Sequence, residues 1–246
     1  MLELNLLRTE KWPDHSFALP QYQSHRGFWI NGIQENTLES LIEAKKMGFK
    51  MAEFDVQLSR DHVPVLFHDT NLLRLFKKNI EIKNLHASEL NKMAHIPTLK
   101  EVLLRSDVPD YLNIEIKSAV LLKDYLVEPI ARVIRETKSE SRIIISSFNP
   151  WCLLKLKQII PEVPLALLAS PEKVKNNLMY LRRLWTAPLL RPNILNLDYQ
   201  MLDENFLKLI KKNNLSVVAW TVNDKNTAKH LLNSGVRSII TDQRLF

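Results

Sequence analysis

Two short runs of this sequence place acids where a β-strand would bury them. In Met51–Leu58 (MAEFDVQL), the strand period of two puts Glu53, Asp55 and Gln57 on one face and Ala52, Phe54, Val56 and Leu58 on the other. Leu112–Lys117 (LNIEIK) repeats the arrangement, with Asn113, Glu115 and Lys117 opposite Leu112, Ile114 and Ile116. Acids and a lysine on a buried face are costly unless they are paired or bound to metal. If the two strands are neighbours, three carboxylates converge. Two anions about 4 Å apart repel by roughly 4 kcal/mol at an effective dielectric near 20, so either a proton or a cation must enter. An all-oxygen donor set points to Mg²⁺ or Ca²⁺ and away from Zn²⁺. An interior Glu115–Lys117 salt bridge is the alternative use of the second run; the Glu53/Asp55 pair beside it favours the metal.

Two histidines stand at the ends of other strand-like runs, His25 in Ser24–Gly27 (SHRG) and His68 in Phe67–Asp69 (FHD). Hydrolytic cleavage needs a base for the nucleophile and an acid for the leaving oxygen, and imidazole titrates in the range for both. Arg26 follows His25, and Gly27 lets the chain turn sharply, so a guanidinium there could grip phosphate oxygens through a forked pair of bonds. His15, His62, His86, His95 and His230 fall in predicted loops or helices and read as structural or solvated. Trp220, at the end of its run, is either a stacking surface for a ligand or a core tryptophan.

The elements that must carry these residues alternate between strand and helix. Strands are expected at Tyr22–Arg26, Met51–Leu58, Val63–His68, Leu112–Lys117, Arg142–Ser147, Pro164–Leu168, Ile194–Leu197, Ser216–Thr221 and Ser238–Thr241. Helices are expected at Thr37–Met47, Val120–Thr137, Pro150–Ile160, Glu172–Trp185, Asp203–Lys212 and Asp224–Asn233. Such alternation signals a parallel sheet covered by helices. Only Ser59–His62 separates the second and third strands, too short for a parallel crossover of about a dozen residues, so these two pair as an antiparallel hairpin. The remaining eight close a (β/α)₈ TIM barrel. Its outward face takes the apolar residues, and the charged ones point inward at the C-terminal ends of the strands, where barrel active sites lie. The stretch Asp69–Pro97 shows no clear strand and is expected to be a small helical insertion at the barrel mouth. No Gly/Ser/Pro-rich linker divides residues 1–246, which read as one domain.

Composition narrows the class. A hydrophobic fraction of 46% supplies a large core and excludes disorder. Lys plus Arg exceed Asp plus Glu by 34 to 27, a net +7 spread along the chain, which suits an anionic small molecule and not nucleic acid. Cys152 is the single cysteine and reads as a small buried side chain in a reducing compartment. No stretch of about eighteen apolar residues exists, and the N-terminus lacks the pattern of a secretory signal, so a cytoplasmic protein with no transmembrane segment is expected.

Taken together in chain order, these segments resemble the glycerophosphodiester phosphodiesterase family. The matching stretches are His25-Arg-Gly, Glu35-Asn-Thr, Glu53-Phe-Asp-Val-Gln, Pro64-Val-Leu-Phe-His-Asp, Pro97-Thr-Leu, Asn113-Ile-Glu-Ile-Lys, Ser146-Ser-Phe, Trp220-Thr-Val-Asn and Ile239-Ile-Thr-Asp. The resemblance implies that Glu53, Asp55 and Glu115 hold a divalent cation, Mg²⁺ or Ca²⁺, and that His25 and His68 are the acid–base pair. It further implies phosphate contacts from Arg26 and Lys117 and a pocket lined by Glu35, Asn36 and Trp220. The implied reaction is hydrolysis of glycerophosphodiesters to sn-glycerol 3-phosphate and an alcohol. Two alternatives stand beside it: a lysophospholipase-D-like enzyme acting on lysophospholipids, and a catalytically silent phosphoester-binding barrel. The chain departs from the family pattern at Gln34, where proline is usual, and at Asp61-His62, where the hairpin usually turns on Asp-Gly; both bear on loop shape.

Overall fold

Alternating faces and short connections set the architecture. The computed structural model describes residues 6–12, 17–30, 32–117, 126–173 and 179–246. Among them, nine strands form one sheet: β1 (Tyr22–His25), β2 (Met51–Leu58), β3 (Pro64–Leu66), β4 (Tyr111–Ile116), β5 (Ile143–Ser147), β6 (Leu165–Ala169), β7 (Ile194–Asp198), β8 (Val217–Trp220) and β9 (Ser238–Thr241). All but β3 run parallel, and β1 pairs with both β2 and β9, which closes the barrel. The short Ser59–His62 connection makes β3 pair antiparallel with the upper half of β2, through Val56↔Leu66 and Leu58↔Pro64. His62 takes a left-handed φ of 58° in that turn, a conformation glycine adopts more readily. The hairpin is the expected one, and the barrel is a (β/α)₈ barrel.

The helices begin where polar side chains can satisfy their first free N–H groups. Thr37 caps α1 (Leu38–Lys46) and Asn149 caps α6 (Pro150–Ile159), with Pro150 in the first turn. Asp203 caps α9 (Glu204–Asn213) and Asp224 caps α10 (Lys225–Asn233), accepting from Phe206 N at 2.8 Å and Thr227 N at 2.7 Å. Between β3 and β4 lie α2 (Leu73–Phe76), α3 (Ala87–Ala94) and α4 (Leu99–Leu103), and α5 (Val127–Thr137) follows β4. Residues 120–125 of the helix expected at Val120–Thr137 lie outside the described residues. Of the helix expected at Glu172–Trp185, residues 174–178 lie outside the described residues; α7 (Met179–Arg182) falls within that range and α8 (Ala187–Leu190) follows it. Leu184, with a φ of 57°, stands between them, and a left-handed residue cannot continue an α-helix.

The insertion between His68 and Pro97 has a small core of its own, built from Val65, Phe67, Leu72, Ile82, Leu90 and Ile96. The main core lies outside the barrel wall, where Ala52, Phe54, Val56, Ile114, Ile145, Leu167 and Leu197 meet the helices. The barrel interior is graded. Its floor is apolar, with Met51, Ile144, Ala166, Ile194, Val218 and Ile240 packed against Trp12, Phe17 and Leu19 of the N-terminal segment. Phe17 stacks on Tyr111 with ring centroids 3.9 Å apart. Above the floor comes an amide belt: Asn113 Nδ2 donates to Gln23 Oε1 at 3.1 Å and Gln23 Nε2 to Ser238 Oγ at 3.0 Å. The charged groups occupy the upper end. Among the described residues, no helix is long and apolar enough to cross a membrane.

Phe54 is fully buried between two inward-facing acids, so its role is packing alone. Phe54→Ala should cost about 3–5 kcal/mol, measured as a lowered urea midpoint. A loss below about 1 kcal/mol would mean that this face of β2 is not packed beneath the helices.

Candidate active site

The register between β2 and β4 aligns Asp55 with Glu115, and that between β1 and β2 aligns His25 with Glu53. Strand pairing thus brings the acidic faces of both runs together. Glu53, Asp55 and Glu115 are all buried, and each offers a carboxylate oxygen within 4.8 Å of the others. Glu53 Oε2 accepts from the Arg26 backbone N–H at 3.1 Å, while Glu53 Oε1 is buried with no hydrogen-bond partner among the described residues. An orphaned carboxylate oxygen within a hard-oxygen cluster fits a divalent cation. Burial, and then the charges of Asp55 and Glu115, push the Glu53 carboxyl well above the usual glutamate range. Burial alone would also raise Asp55, but Lys117, Arg26 and His68 outweigh it and hold Asp55 below its ordinary value.

The cations surround this cluster. Lys117 Nζ lies 2.6 Å from Glu115 Oε1 and 3.1 Å from Asp55 Oδ1. The interior salt bridge and the acidic cluster, weighed above as alternatives, are present together. Burial lowers the Lys117 pKa, yet Asp55 and Glu115 raise it further, so the ammonium stays charged. Arg26 stands just past β1 with a φ of 57°; its Nη1 donates to Glu35 Oε1 at 2.9 Å and its Nε lies 3.3 Å from Asp55 Oδ2. The next residue is the tight point of the turn. Gly27 has a φ of 80°, and a Cβ there would fall 2.7 Å from the Ser40 carbonyl carbon, so only glycine fits beneath α1. Asn36 holds Asp55 at two points, its Nδ2 donating to Asp55 Oδ2 at 2.8 Å and its Oδ1 accepting from Asp55 N at 2.9 Å. Glu35 and Asn36 are therefore buried beside the cluster and engage Arg26 and Asp55.

Both histidines are held by carboxylates. His25 Nδ1 meets Asp242 Oδ1 at 2.8 Å, and Asn223 Nδ2 donates to Asp242 Oδ2 at 2.7 Å. His68 Nδ1 meets Asp69 Oδ1 at 2.7 Å. Burial alone would raise Asp242 and Asp69, but hydrogen bonds from His25 to the former and from Arg74 and His68 to the latter lower both, so they remain anionic acceptors. With Nδ1–H directed at a carboxylate, each neutral imidazole leaves Nε2 as its acceptor. Burial, and beyond it Lys117 and Arg26, lower the His68 pKa against the pull of Asp55. Gln57 fixes the backbone on both sides of His68, donating to Phe67 O at 2.8 Å and Asp69 O at 2.6 Å. Trp220 is half-buried, its Nε1 donating to Asn196 O at 3.0 Å and its ring edge-on to Phe148.

The ten site residues singled out in the sequence lie on β1, β2, β4 and β8 or in the loops that leave β1, β3 and β4. Sequence reasoning assigned no role to Asp242, Asn223, Asp69 or Arg74. The first three stand inside the matched stretches: Asp69 directly after His68, Asn223 three residues after Trp220, and Asp242 at the end of Ile239-Ile-Thr-Asp. Arg74 carries no such signal.

Comparison with known proteins points to one family. Residues 25–244 match the glycerophosphoryl diester phosphodiesterase family. The chain is 32% identical over 232 residues to a glycerophosphodiester phosphodiesterase of Caldanaerobacter subterraneus, covering 89% of this chain and 92% of that protein. It superposes on the structure of an Oleispira antarctica phosphodiesterase in complex with the product sn-glycerol-3-phosphate, with a TM-score of 0.75 and 28% identity, covering 91% and 93% of the two chains. It also superposes on a glycerophosphodiester phosphodiesterase of Thermotoga maritima, with a TM-score of 0.72 and 26% identity over 93% and 97% of the chains.

A raised Glu53 pKa has a signed consequence for stability. Without a cation, the folded protein keeps this proton where the unfolded chain has lost it, so the stabilisation is full below the ordinary glutamate pKa and fades as pH rises through the raised value. Relative to Glu53→Gln, the metal-free wild type should therefore lose stability as pH rises above about 4.3. Added Mg²⁺ or Ca²⁺ should restore wild-type stability at neutral pH and leave Glu53→Gln little changed. Thermal melts across pH with and without cation measure both, and parallel pH curves for the two proteins would contradict the effect.

Proposed function

We propose that this chain, which belongs to the glycerophosphoryl diester phosphodiesterase family and is an enzyme that cleaves glycerophosphodiesters, does so by histidine acid–base chemistry beside a divalent cation. The observation that carries this reading is the convergence of two carboxylate-held imidazoles on one buried three-carboxylate cluster. Glu53, Asp55 and Glu115 would hold Mg²⁺ or Ca²⁺. When bound, the cation supplies charge neutralisation and polarisation at a phosphate oxygen.

The protein's own groups do the rest. Arg26 and Lys117 add fixed positive charge beside the cluster and stabilise the extra negative charge that builds on phosphate in the transition state. One histidine, neutral, accepts the proton of the nucleophile at Nε2, and the other, entering as the imidazolium, donates its Nε2 proton to the departing alkoxide oxygen. Asp242 and Asp69 keep each ring in the tautomer this needs and stabilise the imidazolium that forms. The nucleophile is either the substrate's neighbouring hydroxyl, which gives a cyclic phosphate first, or a water. Trp220, half-buried at the same rim, forms one wall for the glycerol or head group. The sn-glycerol-3-phosphate held by the Oleispira phosphodiesterase supports the same product here.

The test is a panel of glycerophosphodiesters assayed with and without chelator, with lysophosphatidylcholine as the lipid competitor to glycerophosphocholine. Soluble diesters should be hydrolysed to glycerol phosphate, and chelation should remove the activity. His25→Ala should lower kcat by about 10²–10⁴-fold, with cation affinity by calorimetry near the wild-type value. Full turnover in His25→Ala, or preferred cleavage of the lysolipid, would refute this assignment.

A further inference from the structure

Arg74 lies in α2, within the insertion, and its guanidinium spans two carboxylates. Nε donates to Asp69 Oδ2 at 2.6 Å, Nη1 donates to Glu35 Oε2 at 3.2 Å, and Nη2 donates to Glu35 Oε1. Both acids are already engaged. Asp69 Oδ1 meets His68 Nδ1 at 2.7 Å, and Glu35 Oε1 also accepts from Arg26 Nη1 at 2.9 Å. A continuous chain of charge-assisted bonds therefore runs from His68 through Asp69, Arg74 and Glu35 to Arg26. The planar fork suits this geometry, since it offers donors to two carboxylates at once, which the point charge of a lysine does not.

The position of α2 does not depend on those bonds. Leu72 N donates to Ile80 O at 2.9 Å and Ile82 N donates to Thr70 O at 3.0 Å, and Leu72, Ile82 and Phe67 are buried in the insertion's own core. Arg74 itself is about half-exposed, with 46% of its side chain accessible, and ion pairs so open contribute little to stability. Its partner Glu35 is 6% exposed. An exposed residue clamping a buried acid, which in turn holds a charged group of the reaction, has more effect on orientation than on folding.

We propose that Arg74 is a positioning residue for the hydrolysis, holding Asp69 and Glu35 so that the His68 ring and the Arg26 guanidinium stay aimed at the phosphate, and that through it the insertion forms part of the catalytic unit. This rests on the roles given to His68 and Arg26 above. Without Arg74, Asp69 keeps a single partner and can rotate, and the His68 Nε2 loses its fixed direction.

The experiment compares wild type, Arg74→Ala and Arg74→Lys on glycerophosphocholine with Mg²⁺, alongside thermal melts and Mg²⁺ titration by calorimetry. Arg74→Ala should lower kcat by about 100-fold, as misplacement of reacting groups does, with KM changed by less than about threefold. Its melting temperature and Mg²⁺ affinity should match wild type, because neither the insertion core nor the three carboxylates are touched. Arg74→Lys should recover part of the loss, and added guanidinium at non-denaturing concentration should partly restore Arg74→Ala. The proposal is overturned if Arg74→Ala stays within about threefold of wild type, or if Arg74→Lys equals wild type. It is equally overturned if Arg74→Ala fails to fold or loses activity only in step with folded protein, since the residue would then be structural. A wild-type protein that cleaves no diester would instead sink the assigned reaction.

Discussion

Three buried carboxylates inside one barrel are the constraint around which the rest of this structure is arranged. Neighbouring parallel strands in register place Asp55 beside Glu115, and the period of two adds Glu53 on the same face. Such a concentration of negative charge can persist only among cations or protons. The two deepest acids resolve the conflict differently. Asp55 lies beside Lys117 and Arg26 and receives a hydrogen bond from Asn36, so it remains ionised. Among the described residues Glu53 has only a backbone N–H on one oxygen and nothing on the other, and burial beside two carboxylates pushes its pKa up. Adjacent carboxyl groups with pKa values driven apart are a common mark of a site that binds a cation or moves protons.

The same constraint explains the polarity gradient along the barrel axis. Phe17 and Trp12 cover the floor with aromatic surface, the amide belt links Asn113 to Gln23 and Gln23 to Ser238, and the charged groups stand above it. The two ends of the barrel are thus divided between stability and chemistry, as is general for this architecture.

Orientation comes from rigid, locally strained backbone. Arg26 and Asn36 both adopt left-handed conformations, with φ of 57° and 56°, and Asn36 N donates to Arg26 O at 3.0 Å, locking the two turns together. Gly27 allows α1 to pack directly on that turn. His25 and its carboxylate Asp242 are separated by 217 residues, yet the closure of β1 against β9 makes them neighbours. Reacting groups built on strand ends and tied to acids on adjacent strands lose little freedom when substrate arrives.

Much of this was legible in the chain itself. Period-two alternation exposed the acidic face of β2 and β4, the four-residue connection required a hairpin, and the strand–helix alternation left a closed parallel barrel as its solution; each is a local rule of backbone geometry. The carboxylates behind the histidines were not legible, because Asp242 and Asp69 are unremarkable acids until barrel closure and the exit from the hairpin bring them to Nδ1. Arg74 was hidden more deeply, since a basic residue in a short helical insertion reads as solvated surface. Sequence determined which faces could hold charge, because side-chain direction follows from backbone period. Tertiary structure alone decided which charges meet, because pairing across the barrel depends on register and closure between segments far apart in the chain.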